Sequence, residues 1–138
     1  MKKYYVAGFL FSEDTSQLVL IRKNKPESQK GLLNGVGGKI ELSDESPLHA
    51  MIREFKEEAG VEIKTWKEFC KLQSDNFEVY FFKAFGDVTQ VKTMEEEQIE
   101  VVNVSNLYNE DVLCNLDWLI PMALDKDNIH GIIDYLNL

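Results

Sequence analysis

Three glutamates on one predicted helical turn are the residues in this chain whose types and spacing best suit chemistry. Glu54, Glu57 and Glu58 stand at positions i, i+3 and i+4, so a helix would place their carboxylates on one face. Like charges at this spacing repel each other. A hard divalent cation would turn that repulsion into binding, because Mg²⁺ takes oxygen ligands and works together with substrate phosphates. The spacing predicts a metal site for phosphate chemistry, with a solvated charged face as the alternative.

A well-delimited helix is predicted to carry these glutamates. Asp44 or Ser46 can cap its start, Pro47 suits its first turn, and Gly60 is placed to end it. Apolar residues recur at helical spacing and predict a buried stripe opposite the carboxylates. The stripe consists of Leu48, Met51, Ile52, Phe55 and Ala59.

The remaining elements predict a mixed sheet covered by helices on both sides. Alternating or continuous apolar runs predict strands over residues 4–11, 17–23, 61–72, 77–85 and 99–104. Residues 31–40 contain four glycines, which indicates tight turns or close backbone approach. A second helix is predicted over residues 115–124, with an early break or kink at Pro121.

Length and charge restrict the possible classes of protein. A chain of 138 residues predicts a single domain, 1–138. The net charge of −9 argues against long nucleic acids as ligands, since these require a basic stripe.

No apolar run approaches the ~20 residues of a membrane span, and no signal-peptide pattern is present, so a cytoplasmic location is the default expectation. Cys70 and Cys114 lack zinc-site spacing and are expected to be reduced thiols.

The segment from Gly38 to Val61 resembles the signature of the Nudix hydrolases. That signature is a glycine, five residues, Glu, seven residues, Arg-Glu, an apolar residue, any residue, Glu-Glu, any residue, Gly and an apolar residue. Six residues separate Gly38 from Glu45, so the loop carries a one-residue insertion. Asp44 has the strict spacing from Gly38, whereas Glu45 has the strict spacing from Arg53. Glu45 is favoured as the match, because the helix would fix its geometry, and the role of Asp44 stays open.

This resemblance implies a Nudix-type α/β/α sandwich with a mixed β-sheet between helices. It also implies a cofactor, Mg²⁺ or possibly Mn²⁺, and hydrolysis of a nucleoside diphosphate linked to another moiety. The resemblance implies that the Gly37 carbonyl, Glu57 and Glu58 bind the metal and that Glu54 is either a metal ligand or the base for water. It also implies that Arg53 orients the carboxylates and that Glu45 supports Arg53 or the metal shell.

Two sites outside the motif have roles implied by the same resemblance. A glutamate from the acidic stretch 95–97 would reach the metal, with Glu97 the first choice and Glu96 the second. A solvated acidic loop is the alternative. Lys23, at the end of the second predicted strand, would lie near the substrate phosphates, and a plain surface lysine is its alternative.

The segment from Asn34 to Lys39 resembles MutT-like enzymes that hydrolyse nucleoside triphosphates, including oxidised purine nucleotides. Asn34, Gly38 and Lys39 are therefore predicted to bind substrate. The amide of Asn34 offers the donors and the acceptor that reading a base edge requires, although a turn residue before glycine is the alternative.

The region around the second helix also resembles that branch, where it faces the base. Asn115 or Asp117 would contact the base here, and Trp118 would either stack on it or belong to the core.

These resemblances predict a small nucleotide substrate and leave three functions open. The first is Mg²⁺-dependent hydrolysis of a nucleoside triphosphate to monophosphate and pyrophosphate. The second is hydrolysis of ADP-ribose or a nucleotide sugar, although Asn76 stands where such enzymes often carry proline. The third is a non-catalytic nucleotide-sensing module, which the intact motif glutamates disfavour. The sequence leaves monomer and homodimer equally open.

Overall fold

The computed structural model describes residues 1–136 as a mixed β-sheet with helices on both faces. The strands are β1 (Lys3–Ser12), β2 (Gln17–Arg22), β3 (Leu33–Asn34), β4 (Val36–Lys39), β5 (Lys67–Gln73), β6 (Phe77–Gly86), β7 (Gln98–Asn103) and β8 (Gly131–Asp134). The helices are α1 (Pro47–Ala59) and α2 (Leu116–Ala123), with 3-10 turns at Glu27–Gln29 and Val104–Asn109. Neither α1 nor α2 has the length and apolar character that crossing a bilayer would require.

The sheet is organised around β1. Its main order is β3-β2-β1-β6-β5-β8, with β4 pairing to β1 and β7 pairing to β2. β1 runs parallel to β6 along its whole length and antiparallel to both β2 and β4. The mixed sheet predicted from the sequence is therefore confirmed.

Strand alternation divides the apolar residues between two cores, one on each face of the sheet. In β1, Phe9 and Phe11 pack with α2, whereas Val6 and Leu10 pack with α1. The α2 side is filled from that helix by Leu116, Leu119, Ile120 and Ala123. The α1 side is filled from that helix by Ala50, Met51, Phe55 and Ala59. Two helices covering opposite faces confirm the α/β/α arrangement.

Helix α1 begins and ends where the sequence signals predict. The Ser46 hydroxyl accepts a hydrogen bond from the His49 backbone N–H at 3.1 Å, so Ser46, rather than Asp44, is the cap. Gly60 has a φ of 78° and donates its N–H to the Lys56 carbonyl at 2.9 Å, which closes the helix. Leu48 differs from the predicted stripe, since it is 39% exposed in the first turn.

Two predicted elements differ from the structure. Residues 61–66 were predicted as strand but have no regular structure, and β5 begins only at Lys67. Apolar residues in that segment nonetheless reach the core, because Trp66 packs edge-on against Phe55. Helix α2 continues through Pro121 without the predicted break. Buried Ile120, before Pro121, and buried Ala123, after it, hold the helix against the core on both sides of the residue that lacks a backbone N–H donor.

Strand β8 was not predicted. It pairs in parallel with β5, from Cys70–Gly131 to Gln73–Asp134. Only four residues long, it has a partly exposed side-chain pattern that provides little signal over its length.

Candidate active site

Strand β4, which carries Gly37 and Gly38 of the glycine segment (residues 31–40), pairs with β1 and packs against helix α1. Gly37 pairs with Ala7 and Gly38 pairs with Val6 across the β1–β4 ladder. A Cβ atom on Gly37 would overlap the Val6 carbonyl oxygen, and one on Gly38 would lie 2.5 Å from a carboxylate oxygen of Glu54. Position 37 therefore requires glycine, whereas a side chain at position 38 would have to displace the Glu54 carboxylate. Gly38 brings the β4 backbone directly to the acidic face of α1.

Arg53 joins the loop after β4 to the glutamates of α1. Its Nε and Nη2 donate to the two oxygens of Asp44, at 2.9 and 2.8 Å. Its Nη1 donates to Glu54 at 3.0 Å and to Glu57 at 3.2 Å. The Lys39 carbonyl accepts a further bond from Nη2 at 3.2 Å. Arg53 thus fixes the glutamates relative to the glycine segment.

The contact with Arg53 expected from Glu45 is made by Asp44. The Asp44 side chain is 0% exposed, and the Arg53 guanidinium holds the pKa of this carboxyl below its usual range. Glu45 is exposed, and within residues 1–136 its carboxylate has no recorded hydrogen bond or ion pair. Its backbone N–H donates to His49 Nδ1 at 3.1 Å.

The local turn explains why Asp44 takes this position. Asp44 N–H donates to the Glu41 carbonyl at 3.0 Å, and the Glu41 N–H donates to Asp44 Oδ2 at 2.8 Å. This closed turn absorbs the inserted residue and directs Asp44 to Arg53. Since α1 begins at Pro47, helical geometry does not fix Glu45. The sequence signal that favours Asp44 for this role is its separation of five residues from Gly38, the spacing of the Nudix signature.

The glutamates of α1 differ in environment. Glu54 is 13% exposed, and burial raises its pKa although Arg53 acts in the opposite direction. Glu57 is 47% exposed. Glu58 has one carboxylate oxygen, Oε2, that is buried without a hydrogen-bond partner. Burial, together with the negative charges of Glu95, Glu54 and Glu97, raises the pKa of Glu58 to about 7.

These residues fit a divalent cation. Across residues 1–136, no three His, Cys, Asp or Glu side chains are arranged around one point as metal ligands. The candidate ligands, which are the carboxylates of α1 and the Gly37 carbonyl, nevertheless offer only oxygen atoms, as a hard cation prefers. The unpaired oxygen of Glu58 also lacks the partner that buried polar atoms almost always have. A cation beside Glu58 would satisfy that oxygen and relieve the repulsion among its acidic neighbours.

A second contact joins the two sequence-predicted residues outside the motif. Lys23 directly follows β2, and its Nζ donates to Glu97 Oε1 at 3.1 Å. The Asn24 backbone N–H donates to Glu97 Oε2 at 2.5 Å. The structure therefore brings Lys23 and Glu97 together, as part of one cluster with Glu58, on which both charges act.

Strand β3 and the start of α2 are also neighbours. Leu33 exchanges backbone hydrogen bonds with Asp111 and Leu113, at 2.7 and 3.0 Å, just before α2. Asn34 follows Leu33, and its Oδ1 accepts a bond from the Gly35 N–H at 2.8 Å. This is the local turn contact that the sequence left open as an alternative.

Of the three candidate base contacts around α2, Asn115 and Trp118 are three residues apart, which places them on one side of the helix, and Asp117 is exposed between them. Asn115 Oδ1 is buried and unpaired among the described residues. Trp118, three residues later, is 37% exposed, so the core interpretation of this residue is wrong. A half-exposed indole near an unpaired amide oxygen suits contact with a planar polar ligand.

Two cavities lie outside the cluster of Lys23, Glu58 and Glu97, although Lys39 and Asp44 border the second of them. One, of about 600 Å³, is bordered by the β5–β6 turn and residues 134–136. The other, of about 1000 Å³, is bordered by residues 1–4, residues 39–47 and Tyr80. Neither is lined by Glu58 or Lys23, so hydrogen bonding and charge, and not cavity size, identify the candidate site.

Comparison with solved structures finds the same fold in MutT proteins and in a NUDIX domain. A structure from work on MutT of Aliivibrio salmonicida and Vibrio cholerae is 25% identical, with a TM-score of 0.76 over 90% of this chain and 98% of that one. The NUDIX domain of Shewanella oneidensis NrtR, complexed with ADP ribose, is 16% identical, with a TM-score of 0.78 over 89% and 86%. The MutT protein of Bacillus halodurans is 20% identical, with a TM-score of 0.74 over 96% and 90%.

A search among curated proteins found no match. The model of the NUDIX domain matches residues 1–130, which include the glycine segment, Arg53 and the glutamates of α1. The chain belongs to the Nudix family, whose hydrolases act on nucleoside diphosphate derivatives.

Proposed function

We propose that the protein hydrolyses a nucleoside triphosphate to a monophosphate and pyrophosphate, using Mg²⁺ or Mn²⁺. The observation that carries this proposal is the buried, unpaired oxygen of Glu58 among Glu54, Glu95 and Glu97. A cation is the partner that this oxygen lacks, and a polyphosphate is the ligand that a bound cation would attract. Glu58, Glu57, Glu54 and the Gly37 carbonyl would hold the ion.

The side chains have separate tasks in this reaction. When bound, a divalent cation supplies positive charge that neutralises phosphate oxygens and acidifies water. Arg53 holds Glu54 and Glu57 in fixed orientations. Glu54, whose pKa burial raises, is suited to accept a proton from the attacking water at a carboxylate oxygen. Water adds to either the α or the β phosphorus, the bond from that phosphorus to the oxygen that bridges the two breaks, and the products are the monophosphate and pyrophosphate.

The residues near α2 favour a purine base as the part of the substrate that is recognised. Asn115 and Trp118 offer a buried amide oxygen and a half-exposed aromatic ring. Asn34 belongs to β3, whose neighbour Leu33 is bonded to the segment before α2. Lys23 and Lys39 would contact phosphates, together with the Gly38 backbone. The similarity to MutT supports a triphosphate, and an oxidised purine deoxynucleoside triphosphate is the first substrate to test.

ADP-ribose hydrolysis is the second candidate. It is favoured by the similarity to the NrtR domain complexed with ADP ribose, with a TM-score of 0.78. At 16% identity this similarity concerns the fold alone. The two candidates differ in their products, since only a triphosphate yields pyrophosphate.

A substrate screen distinguishes the candidates. The purified protein is incubated with Mg²⁺ and, separately, with nucleoside triphosphates, oxidised purine triphosphates, ADP-ribose and dinucleoside polyphosphates. Pyrophosphate and phosphate are measured independently. We expect pyrophosphate from a triphosphate. Turnover of ADP-ribose alone would establish the second candidate, and binding without turnover of any substrate would indicate a sensing module.

A pair of neighbouring variants tests the role of the glutamates. We expect Glu57→Gln to lower kcat by about 10²-fold or more, because the variant loses a carboxylate that would hold the cation whose charge stabilises the transition state. Lys56→Gln is the matched control, since Lys56 is exposed on the same turn. Its rate should stay within about twofold of wild type. A wild-type rate for Glu57→Gln would remove Glu57 from the site.

A further inference from the structure

Strand β8 forms an open edge of the sheet. It stands last in the order β3-β2-β1-β6-β5-β8, and within residues 1–136 no strand pairs with its outer side. Proteins commonly protect such edges with lysine, proline or a β-bulge, because unpaired backbone groups attract another strand. None of these is present in β8, whose sequence is Gly-Ile-Ile-Asp and whose register with β5 is regular. The outer edge is therefore open to pairing with a further strand.

The backbone groups of the even-numbered residues point away from β5. The Tyr135 N–H donates to the Gln73 carbonyl at 2.7 Å, so the backbone of Tyr135 is directed toward β5. Because this direction alternates from one residue of a strand to the next, the other odd-numbered residues also face β5. The outward N–H and C=O groups belong to Ile132 and Asp134 and, one residue before the strand, to His130.

An antiparallel second copy of β8 fits this edge with all of these groups paired. If a two-fold axis passes beside Ile132, residues equally far before and after Ile132 stand opposite each other. Ile132 then exchanges two backbone hydrogen bonds with its own equivalent, and His130 exchanges two with Asp134 of the second copy. A two-fold interface of this kind is self-complementary and closes as a dimer.

The apolar side chains that meet in this register are exposed in the single chain. Ile132, which is 61% exposed, would lie opposite its own equivalent. Ile129 and Tyr135, which are 42% and 63% exposed, stand three residues before and three residues after Ile132, so they would lie opposite each other. Apolar cross-strand pairs stabilise a sheet, and here each pair covers side chains that otherwise face water.

Opposite charges flank this apolar centre and select the register. Within each chain, His130 Nε2 bonds to Glu68 at 2.6 Å, and Gln73 donates to Asp134 Oδ1 at 2.7 Å. His130 Nδ1 and Asp134 Oδ2 remain for a bond between the two copies, on both sides of Ile132. A two-fold axis beside His130 or Asp134 would instead put like groups opposite each other, which destabilises an antiparallel pair.

We propose that the protein forms a homodimer in which β8 pairs antiparallel with β8 of a second copy, about a two-fold axis beside Ile132. The two sheets join into one continuous sheet. The interface lies at the opposite end of the strand order from β2 and β3, next to Lys23 and Asn34, so both candidate active sites stay open. The dimer does not depend on the identity of the substrate.

Sedimentation equilibrium over a concentration series measures the dimerisation constant. We expect wild type to dimerise and Ile132→Lys to weaken the dimer by about 100-fold or more, because two isoleucines lose their burial and two like charges come together. Val101→Lys is the matched control, since Val101 is 40% exposed on β7, which pairs only with β2 within residues 1–136. Its dimerisation constant should stay within about twofold of wild type. A wild type that is monomeric throughout, or a dimer weakened more by Val101→Lys than by Ile132→Lys, would overturn the proposal.

Ile132→Pro tests the backbone pairing separately from the side chain. Proline removes an N–H that points outward and leaves the bonds to β5 intact, so the melting temperature of the dilute monomer should stay within about 5 °C of wild type. Two hydrogen bonds are lost per dimer, and dimerisation should weaken by about tenfold or more. Dimerisation as tight as that of wild type would rule out pairing through this strand edge.

Disulfide trapping tests the position of the two-fold axis. The variants are made in a Cys114→Ser background, because Cys114 is exposed whereas Cys70 is buried. In Ile132→Cys the two Cα atoms would lie about 5.5 Å apart, within the reach of a disulfide. In the control Tyr135→Cys, at a similarly exposed position, they would lie roughly 20 Å apart. We expect a covalent dimer on non-reducing gels from Ile132→Cys alone, after treatment with a mild oxidant. Cross-linking that is equal in both variants, or stronger in Tyr135→Cys, would contradict this register.

Discussion

Replacing Asp44 by Asn tests which acidic residue supports Arg53. The amide keeps the shape of the side chain but removes the charge and turns an N–H group toward the guanidinium. Removing one partner of a buried ion pair costs about 3–5 kcal/mol of the free energy of unfolding. Because Arg53 is 20% exposed and keeps its bonds to Glu54 and Glu57, the expected loss is smaller, about 2–3 kcal/mol.

Glu45→Gln is the matched control for this experiment. Glu45 is exposed, so the free energy of unfolding should change by less than about 0.5 kcal/mol. Urea unfolding followed by circular dichroism measures both variants, and the melting temperature of Asp44→Asn should fall by roughly 6–12 °C. If Glu45→Gln were the more destabilised variant, the pairing of Asp44 with Arg53 would be refuted.

Three further predictions follow from the same contacts. Gly38→Ala should lower kcat by about 10²-fold by displacing Glu54, a movable side chain, with a stability loss under about 1 kcal/mol. Gly37→Ala should instead cost about 3 kcal/mol of the free energy of unfolding, because the added methyl group meets the Val6 backbone; a reversal of the two effects would contradict the geometry. The pKa of Asp44 is lower in the folded state than its ordinary value of 3.8, so its stabilisation is complete above that pH and is lost as the pH falls through the folded pKa. The stability difference between wild type and Asp44→Asn should therefore shrink below about pH 4 in acid titrations followed by circular dichroism, and a difference that grows there would be inconsistent with the ion pair.

Local signals were sufficient to predict helix α1. Its cap, its first-turn proline and its terminal glycine act within a few residues of each helix end, so the sequence alone specifies them. The prediction of the apolar stripe is correct except for Leu48, which lies in the first turn of α1 and is outside the buried core on that face of the sheet.

Features that depend on distant partners could not be predicted in the same way. Strand β8 forms because it pairs with the edge of β5, whose residues lie 61 positions earlier in the chain, as in the pair Lys71–Ile132 (132 − 71 = 61). The choice between Asp44 and Glu45 depends on a turn that closes on Glu41, and the engagement of Glu97 depends on the β2–β7 register. Spacing along the chain indicates which residues belong to a site, but it does not distinguish among adjacent carboxylates.

The central claim is that the acidic face of α1 exists to hold a divalent cation against a polyphosphate. The most direct test is a crystal structure with Mn²⁺ and a non-cleavable nucleoside triphosphate, with anomalous scattering used to locate the metal. We predict a manganese peak in contact with the carboxylates of Glu57 and Glu58 and with the phosphates. A nucleotide bound elsewhere, with these carboxylates facing only water, would contradict the account.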